Sequence, residues 1–365
     1  MKHPVYFPNL NGLRFIAAMM VIIHHIESMK SIFKWSSNID NATIFLFGKM
    51  GVILFFVLSG FLITYLLLNE EKNNSTISIK QFYLRRIFRI WPLYFLIIIL
   101  SLFILPLFPA LNFRISNYQL FYDSFWIKIL FFVFFLPNLV LARYGIMPYA
   151  SQSWSIGVEE QFYIIWPWLI KLFKNRIAMV IGVFIGYHLI NSFLYFFEKD
   201  IPYGTLIKYF FEFFNIDCMA IGAFFGIILF EKNEKFLHFI CHPFLFYPIL
   251  LISLTLLIFG YSFPLFNYQI YALLFGICII NLATLKATFL EHPLFNYLGK
   301  ISYGLYMYHV IAIGISIVLL EKMNTSNNVL LYIFSISITI FLSSISYKYF
   351  ESFFLKLKTK FSANN

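Results

Sequence analysis

Arg14 and His25 stand eleven positions apart in the apolar stretch NLNGLRFIAAMMVIIHHIES, residues 9–28. At about 100° per residue, a helix returns them to one face after three turns plus about 20°, roughly 16 Å apart along the axis. His24 points about 80° off that line. Ionisable side chains inside an apolar span are costly and mark functional sites. A guanidinium offers planar, charge-assisted donors to anionic groups, and an imidazole exchanges protons near neutral pH. Each residue also has a plainer reading: Arg14 as an anchor reaching for the interface, His25 as a histidine hydrogen-bonded inside a bundle. Their shared face weighs against both.

Three further constellations carry chemistry. Glu159 and Glu160 open an apolar run, where carboxylates suit the positive end of a helix dipole and Ser155 is available as an N-cap. Side chains of adjacent residues diverge by about 100°, so one can face inward while the other caps or meets water. Ser302, Tyr306 and His309, spaced four and three apart, form one helical stripe, either a polar seam between helices or the lining of a path. Arg85, Arg86 and Arg89 form a basic cluster in which Arg89 shares a face with either neighbour. Asp217, ahead of Gly222 and Gly226, reads as a cap or helix-pairing group. His188, His238, His242 and His292 read as loop or packing residues. Neither they nor Cys218, Cys241 and Cys278 have metal-ligand spacing, so no metal site is expected.

These residues sit in a chain of 365 residues that is 61% hydrophobic and 12% charged, with a mean hydropathy of +0.81. Soluble domains carry about a quarter charged residues. The chain is therefore expected to be an all-α polytopic membrane protein, because long apolar runs in lipid must satisfy their own backbone. A net charge of +11 reflects lysines and arginines between apolar runs and gives no reason to invoke nucleic acid. Apolar runs lie near 13–30, 44–68, 90–109, 128–142, 156–174, 177–197, 211–230, 244–260, 268–285, 301–320 and 329–350. The basic segments 69–89 and 171–176, and the lysines Lys348, Lys356, Lys358 and Lys360, are expected to be cytoplasmic. That holds if the short run 128–142 is re-entrant or interfacial, since a crossing needs about 20 residues. The result is about ten transmembrane helices with both termini cytoplasmic, 110–157 and 260–267 outside, one domain over 1–352 and a basic cytoplasmic tail over 353–365. No small-residue cleavage site follows the first run, so it is expected to be retained.

Several segments resemble the membrane acyltransferase-3 family: Arg and His separated by ten residues in the first span, FFVLSGFLI (55–63), FYLRRIFRIWPLY (82–94), SWSIGVEEQFYIIWP (153–167) and YLGKISYGLYMYH (297–309). They occur in order over nearly the whole chain. The closing YFESFF carries Phe353 where a proline is expected soon after the glutamate.

The resemblance implies transfer of an acyl group, by default acetyl, from cytoplasmic acyl-CoA to an extracytoplasmic hydroxyl, often on a sugar. No tightly bound cofactor is implied; acyl-CoA is a co-substrate. Arg14, Arg85, Arg86 and Arg89 then suit the donor's phosphates, and His25 suits removal of the acceptor's proton. Glu160, favoured by the resemblance as the inward carboxylate, or Glu159, would orient the imidazole. Ser153, Trp154 and Ser155 would shape the acceptor entrance, and Ser302, Tyr306 and His309 the acyl path. The resemblance places the chain in the cell membrane. The alternative is a proton-coupled transporter or flippase of an amphipathic or lipid-linked substrate; such carriers commonly show two similar halves, and no internal repeat is present.

Overall fold

The computed structural model describes residues 5–114, 123–285 and 288–359, with side chains through 357. Helices α1 (Leu10–Ile32), α2 (Ala42–Asn74) and α3 (Ile79–Ile99) form the first third. Two short helices, α4 (Phe125–Val133) and α5 (Pro137–Tyr144), precede α6 (Trp154–Leu172) and α7 (Arg176–Phe197). Then come α8 (Gly204–Phe214), α9 (Ile216–Glu231), α10 (Glu234–Ile240), α11 (Pro243–Ile258) and α12 (Asn267–Thr284). The chain ends with α13 (Pro293–Lys300), α14 (Ser302–Lys322), α15 (Asn328–Ile345) and α16 (Ser352–Thr359).

The protein is an all-helical, multi-pass membrane protein. Among the described residues, eight helices are long and apolar enough to cross a bilayer, or nine if the α10–α11 pair, bent by 51°, is one span. The remaining expected crossing, 156–174, is α6. It is long enough, but Glu159 and Glu160 in its first half and Lys171 in its last turn lower its apolarity. The expected re-entrant run 128–142 becomes α4 and α5, of 9 and 8 residues, each about 12–14 Å long and too short to span. Residues 115–122 of the expected external segment lie outside the described residues, as does the tail beyond 359.

Two features fix the bundle. Helices α2 and α9 touch backbone to backbone: a Cβ on Gly60 would lie 1.9 Å from the Met219 carbonyl oxygen, and one on Gly222 2.1 Å from that of Val57. Small residues at this spacing let membrane helices pack through their backbones. Helix α1, packed against α2, α13 and α14, is pinned at both ends by buried polar groups. At its start, the Asn9 side-chain amide donates to the Leu282 carbonyl, and its oxygen accepts from Thr288. At its end, Glu27 pairs with Lys30 at 2.9 Å and accepts from the Asn38 backbone and the Tyr332 hydroxyl.

Gly222→Ala forces α2 and α9 apart and should lower stability by about 1–3 kcal/mol, read as a lower Tm of the detergent-purified chain. An unchanged Tm would contradict the backbone contact.

Candidate active site

Arg14 lies on α1 facing a cavity of about 100 Å³ that it shares with Arg86 and Arg89 of α3, Ser59 of α2, Glu159 of α6, and Ser302 and Tyr306 of α14. Three arginines and one carboxylate therefore converge in an apolar bundle. Asn11 accepts from Arg14 at 3.3 Å and is itself bonded to Asn296 of α13. The Arg86 guanidinium lies over the rings of Phe82 and Tyr163, 5.8 Å from each centroid. Its Nε has no protein partner among the described residues. Arg85 is not part of this cluster. It points the other way, to a 2.6 Å ion pair with Glu70, whose carboxylate also accepts from the Ser78 backbone. Arg85 thus ties the start of α3 to the end of α2 and stands apart from the other three expected donor-binding arginines.

The two carboxylates of α6 diverge as adjacent helical positions must. Glu159 faces the arginine cavity and accepts from Ser59 at 2.6 Å and Tyr163 at 3.3 Å. Glu160, favoured as the inward carboxylate, is buried in the bundle but away from that cavity, where it accepts from the Trp91 indole of α3 at 2.9 Å. Neither caps the helix. No acidic residue lies in the first turn of α6, and Ser155, the candidate cap, is inside it, bonded to the Tyr306 hydroxyl at 2.7 Å. The Ser153 hydroxyl closes on the Ala150 carbonyl at 2.6 Å. It therefore serves the turn before α6, and it lines none of the three cavities described here.

His25 faces a second cavity, of about 210 Å³, shared with Ser28, Gln152, Trp154 and Val310. Its Nδ1 lies 3.0 Å from the Val21 carbonyl oxygen. A carbonyl only accepts, so Nδ1 carries the hydrogen and Nε2 the lone pair. The expected orienting carboxylate is replaced by this backbone carbonyl, since both glutamates are engaged elsewhere. His309 is fully buried, and its ring stands 4.8 Å from that of His25. Its Nδ1 is bonded to the Tyr306 carbonyl, and its Nε2 has no hydrogen-bond partner among the described residues. Two imidazoles with matching tautomers thus stand together. His24 turns aside as its helical angle predicts, bonding the Ile44 carbonyl at 3.1 Å and packing where Gly48 leaves no room for a Cβ.

Tyr306 stands between the two cavities. It lines the arginine side, and its hydroxyl donates to the Gln152 carbonyl at 2.9 Å, on the histidine side. Of the expected stripe, Ser302 and Tyr306 line the arginine cavity, and His309 stands beside the His25 ring without lining either cavity. Sequence reasoning missed Ser59, Gln152 and Tyr163. Tyr163 lies four residues after Glu159 on the same face, a spacing that carries the signal. Ser59 and Gln152 have no such local sign.

A helical membrane bundle with an arginine–glutamate cavity toward one end of α1 and a histidine pair toward the other defines a polytopic protein with two polar sites in its interior. Its sequence matches the profile described as Acyltransferase domain over residues 7–348, and the chain belongs to that family. It is similar to "Peptidoglycan O-acetyltransferase OatA" of Listeria monocytogenes, at 31% identity over 51% of this chain and 28% of that protein. It is also similar to "Putative O-acetyltransferase SACOL0978" of Staphylococcus aureus, at 26% identity over 96% of this chain and 58% of that protein. The chain thus matches less than two thirds of the length of each of these relatives. No solved structure matches it.

Tyr306→Phe removes the hydroxyl that joins Ser155 to Gln152. It should cost about 1–3 kcal/mol, because the Gln152 carbonyl loses its donor in a buried setting. Denaturation of the detergent-purified chain reads this. Stability equal to the parent would contradict the bridging role.

Proposed function

We propose that the protein is an O-acyltransferase that moves an acyl group, acetyl by default, from acyl-CoA to a hydroxyl of a cell-envelope carbohydrate. The observation that carries this reading is the arrangement along α1: an arginine cluster at the Arg14 end, and at the His25 end an imidazole whose Nδ1 bonds the Val21 carbonyl and leaves the lone pair on Nε2. Both relatives are named O-acetyltransferases, and the first is named for peptidoglycan. The basic segments favour a cytoplasmic N-terminus in the plasma membrane. In that orientation the arginines lie toward the cytoplasm, where coenzyme A is found, and His25 toward the outside.

The chemistry follows from the side chains. Arg14, Arg86 and Arg89 bind the anionic part of the donor through charge-assisted hydrogen bonds. Glu159, held by Ser59 and Tyr163, limits the net positive charge of the cluster. The acceptor hydroxyl attacks the thioester carbonyl while His25 Nε2 takes its proton. The carbon–sulfur bond then breaks, and the thiolate leaves and is protonated to the free thiol. His309 stands where it can exchange the proton with His25. Tyr306 lies on the route between donor and base, so the thioester arm must pass its ring.

His25→Ala should abolish acyl transfer while the purified chain still binds coenzyme A with unchanged affinity. Normal transfer rates in that variant would reject the assignment of the base. Arg14→Ala and Arg86→Ala should each weaken coenzyme A binding about tenfold, the loss expected of one charge-assisted contact. Arg85→Ala should leave it within about twofold. Equal losses in all three variants, measured by titration calorimetry, would contradict the division between Arg85 and the cavity arginines.

A further inference from the structure

A third cavity, of about 620 Å³, lies between α2, α5, α7, α8 and α12. It is within the ~300–1,000 Å³ range of ligand pockets and much larger than either cavity beside α1. Its wall includes Trp154, which also lines the His25 cavity. Trp154, Tyr209 and Tyr268 give it aromatic surface, while His188 and Gln269 give it hydrogen-bonding groups.

Behind those two polar groups sits Asp217, in the first turn of α9 and fully buried. Its Oδ2 accepts from the Gln269 amide and lies 3.3 Å from His188 Nε2; its Oδ1 has no protein partner among the described residues. A buried anion without a full set of donors is expensive. Here it holds the Gln269 amide of α12 by a hydrogen bond and stands beside the His188 ring of α7; both side chains reach the cavity. With the Gln269 amide nitrogen turned to Asp217, its carbonyl oxygen is free to accept. Lys49 and Glu212, also on the wall, are opposite in charge. Together with Asp217 they leave the site without the net positive charge that a phosphate or coenzyme A would need.

We propose that this cavity binds an uncharged saccharide unit of the acceptor and presents its hydroxyl past Trp154 to His25. Sugar rings have an apolar face that covers an aromatic ring and a rim of hydroxyls that need both donors and acceptors. The walls offer both, with the Gln269 amide held in place by Asp217. The inference rests on the acyl-transfer reading for the identity of the acceptor; binding itself does not require the donor. His188 and Gln269 are then acceptor-binding residues, and Asp217 is a positioning residue.

The test is titration of the detergent-purified 365-residue chain with the N-acetylglucosamine oligomer chitotetraose, with no donor present. The parent should bind it. Gln269→Leu and His188→Phe should each bind it about tenfold more weakly, about the loss of one well-made hydrogen bond that leaves a polar partner unmet. His188→Gln should recover part of the loss. All three should bind coenzyme A as the parent does, which shows that they are folded. A parent that binds no chitotetraose, or variants that bind it with parental affinity, would overturn the proposal. A chain that binds the sugar through these residues but transfers no acyl group would sink the acyl-transfer reading and leave the saccharide cavity standing. Transfer at a parental acceptor KM in both Gln269→Leu and His188→Phe would do the reverse.

Discussion

Charged groups inside an apolar bundle must meet one another or a ligand, and this constraint organises the protein. Desolvating a guanidinium or carboxylate costs several kcal/mol unless partners compensate. Among the described residues, Glu159 is the one carboxylate at the wall of the cavity that Arg14, Arg86 and Arg89 share, with Glu160 and Glu351 within electrostatic reach of Arg86 and Arg89 behind it. Other ion pairs are matched one to one: Glu27 with Lys30, Glu70 with Arg85, Glu71 with Arg176. Matched pairs hold helices in place. The unmatched cluster leaves positive charge available to an anionic ligand, and that imbalance separates the site from its scaffold.

The scaffold explains why the site sits where it does. The glycines of α2 and α9 bring two backbones into contact and free the opposite face of α2 for α1 and α6. Helix α1 is held at its ends by Asn9 and by the Glu27–Lys30 pair, so Arg14 and His25 are fixed along one axis. Helix α6 lies against both α2 and α3, so Glu159 reaches Ser59 and Glu160 reaches Trp91. Helix α14 then supplies Tyr306 as the divider between two cavities and His309 as the companion of His25.

Much of this was legible where the reasoning needs only helical periodicity. The common face of Arg14 and His25, the sideways turn of His24 and the stripe of Ser302, Tyr306 and His309 all follow from about 3.6 residues per turn. What depends on partners distant in sequence was not legible. Nothing local distinguishes Arg85 from Arg86; Glu70 on the preceding helix does. Nothing local says that Glu159 rather than Glu160 meets the arginines, because that depends on the rotation of α6 between α2 and α3. The group formed by His188, Asp217 and Gln269 joins three helices and has no spacing to read. The carboxylate expected behind His25 proved to be the Val21 carbonyl, one helical turn away, a substitution that leaves no trace in residue types.

The central claim is that one path through the bundle joins a donor on one side of the membrane to an acceptor on the other. It is tested most directly in sealed vesicles holding the chain in one orientation, with radiolabelled acetyl-CoA enclosed at the basic, Arg14 side and a glycan acceptor only in the outer solution. The account predicts label on the external glycan while the vesicles remain sealed, and none when donor and acceptor positions are exchanged. Label that appears only when both substrates share one compartment would contradict it.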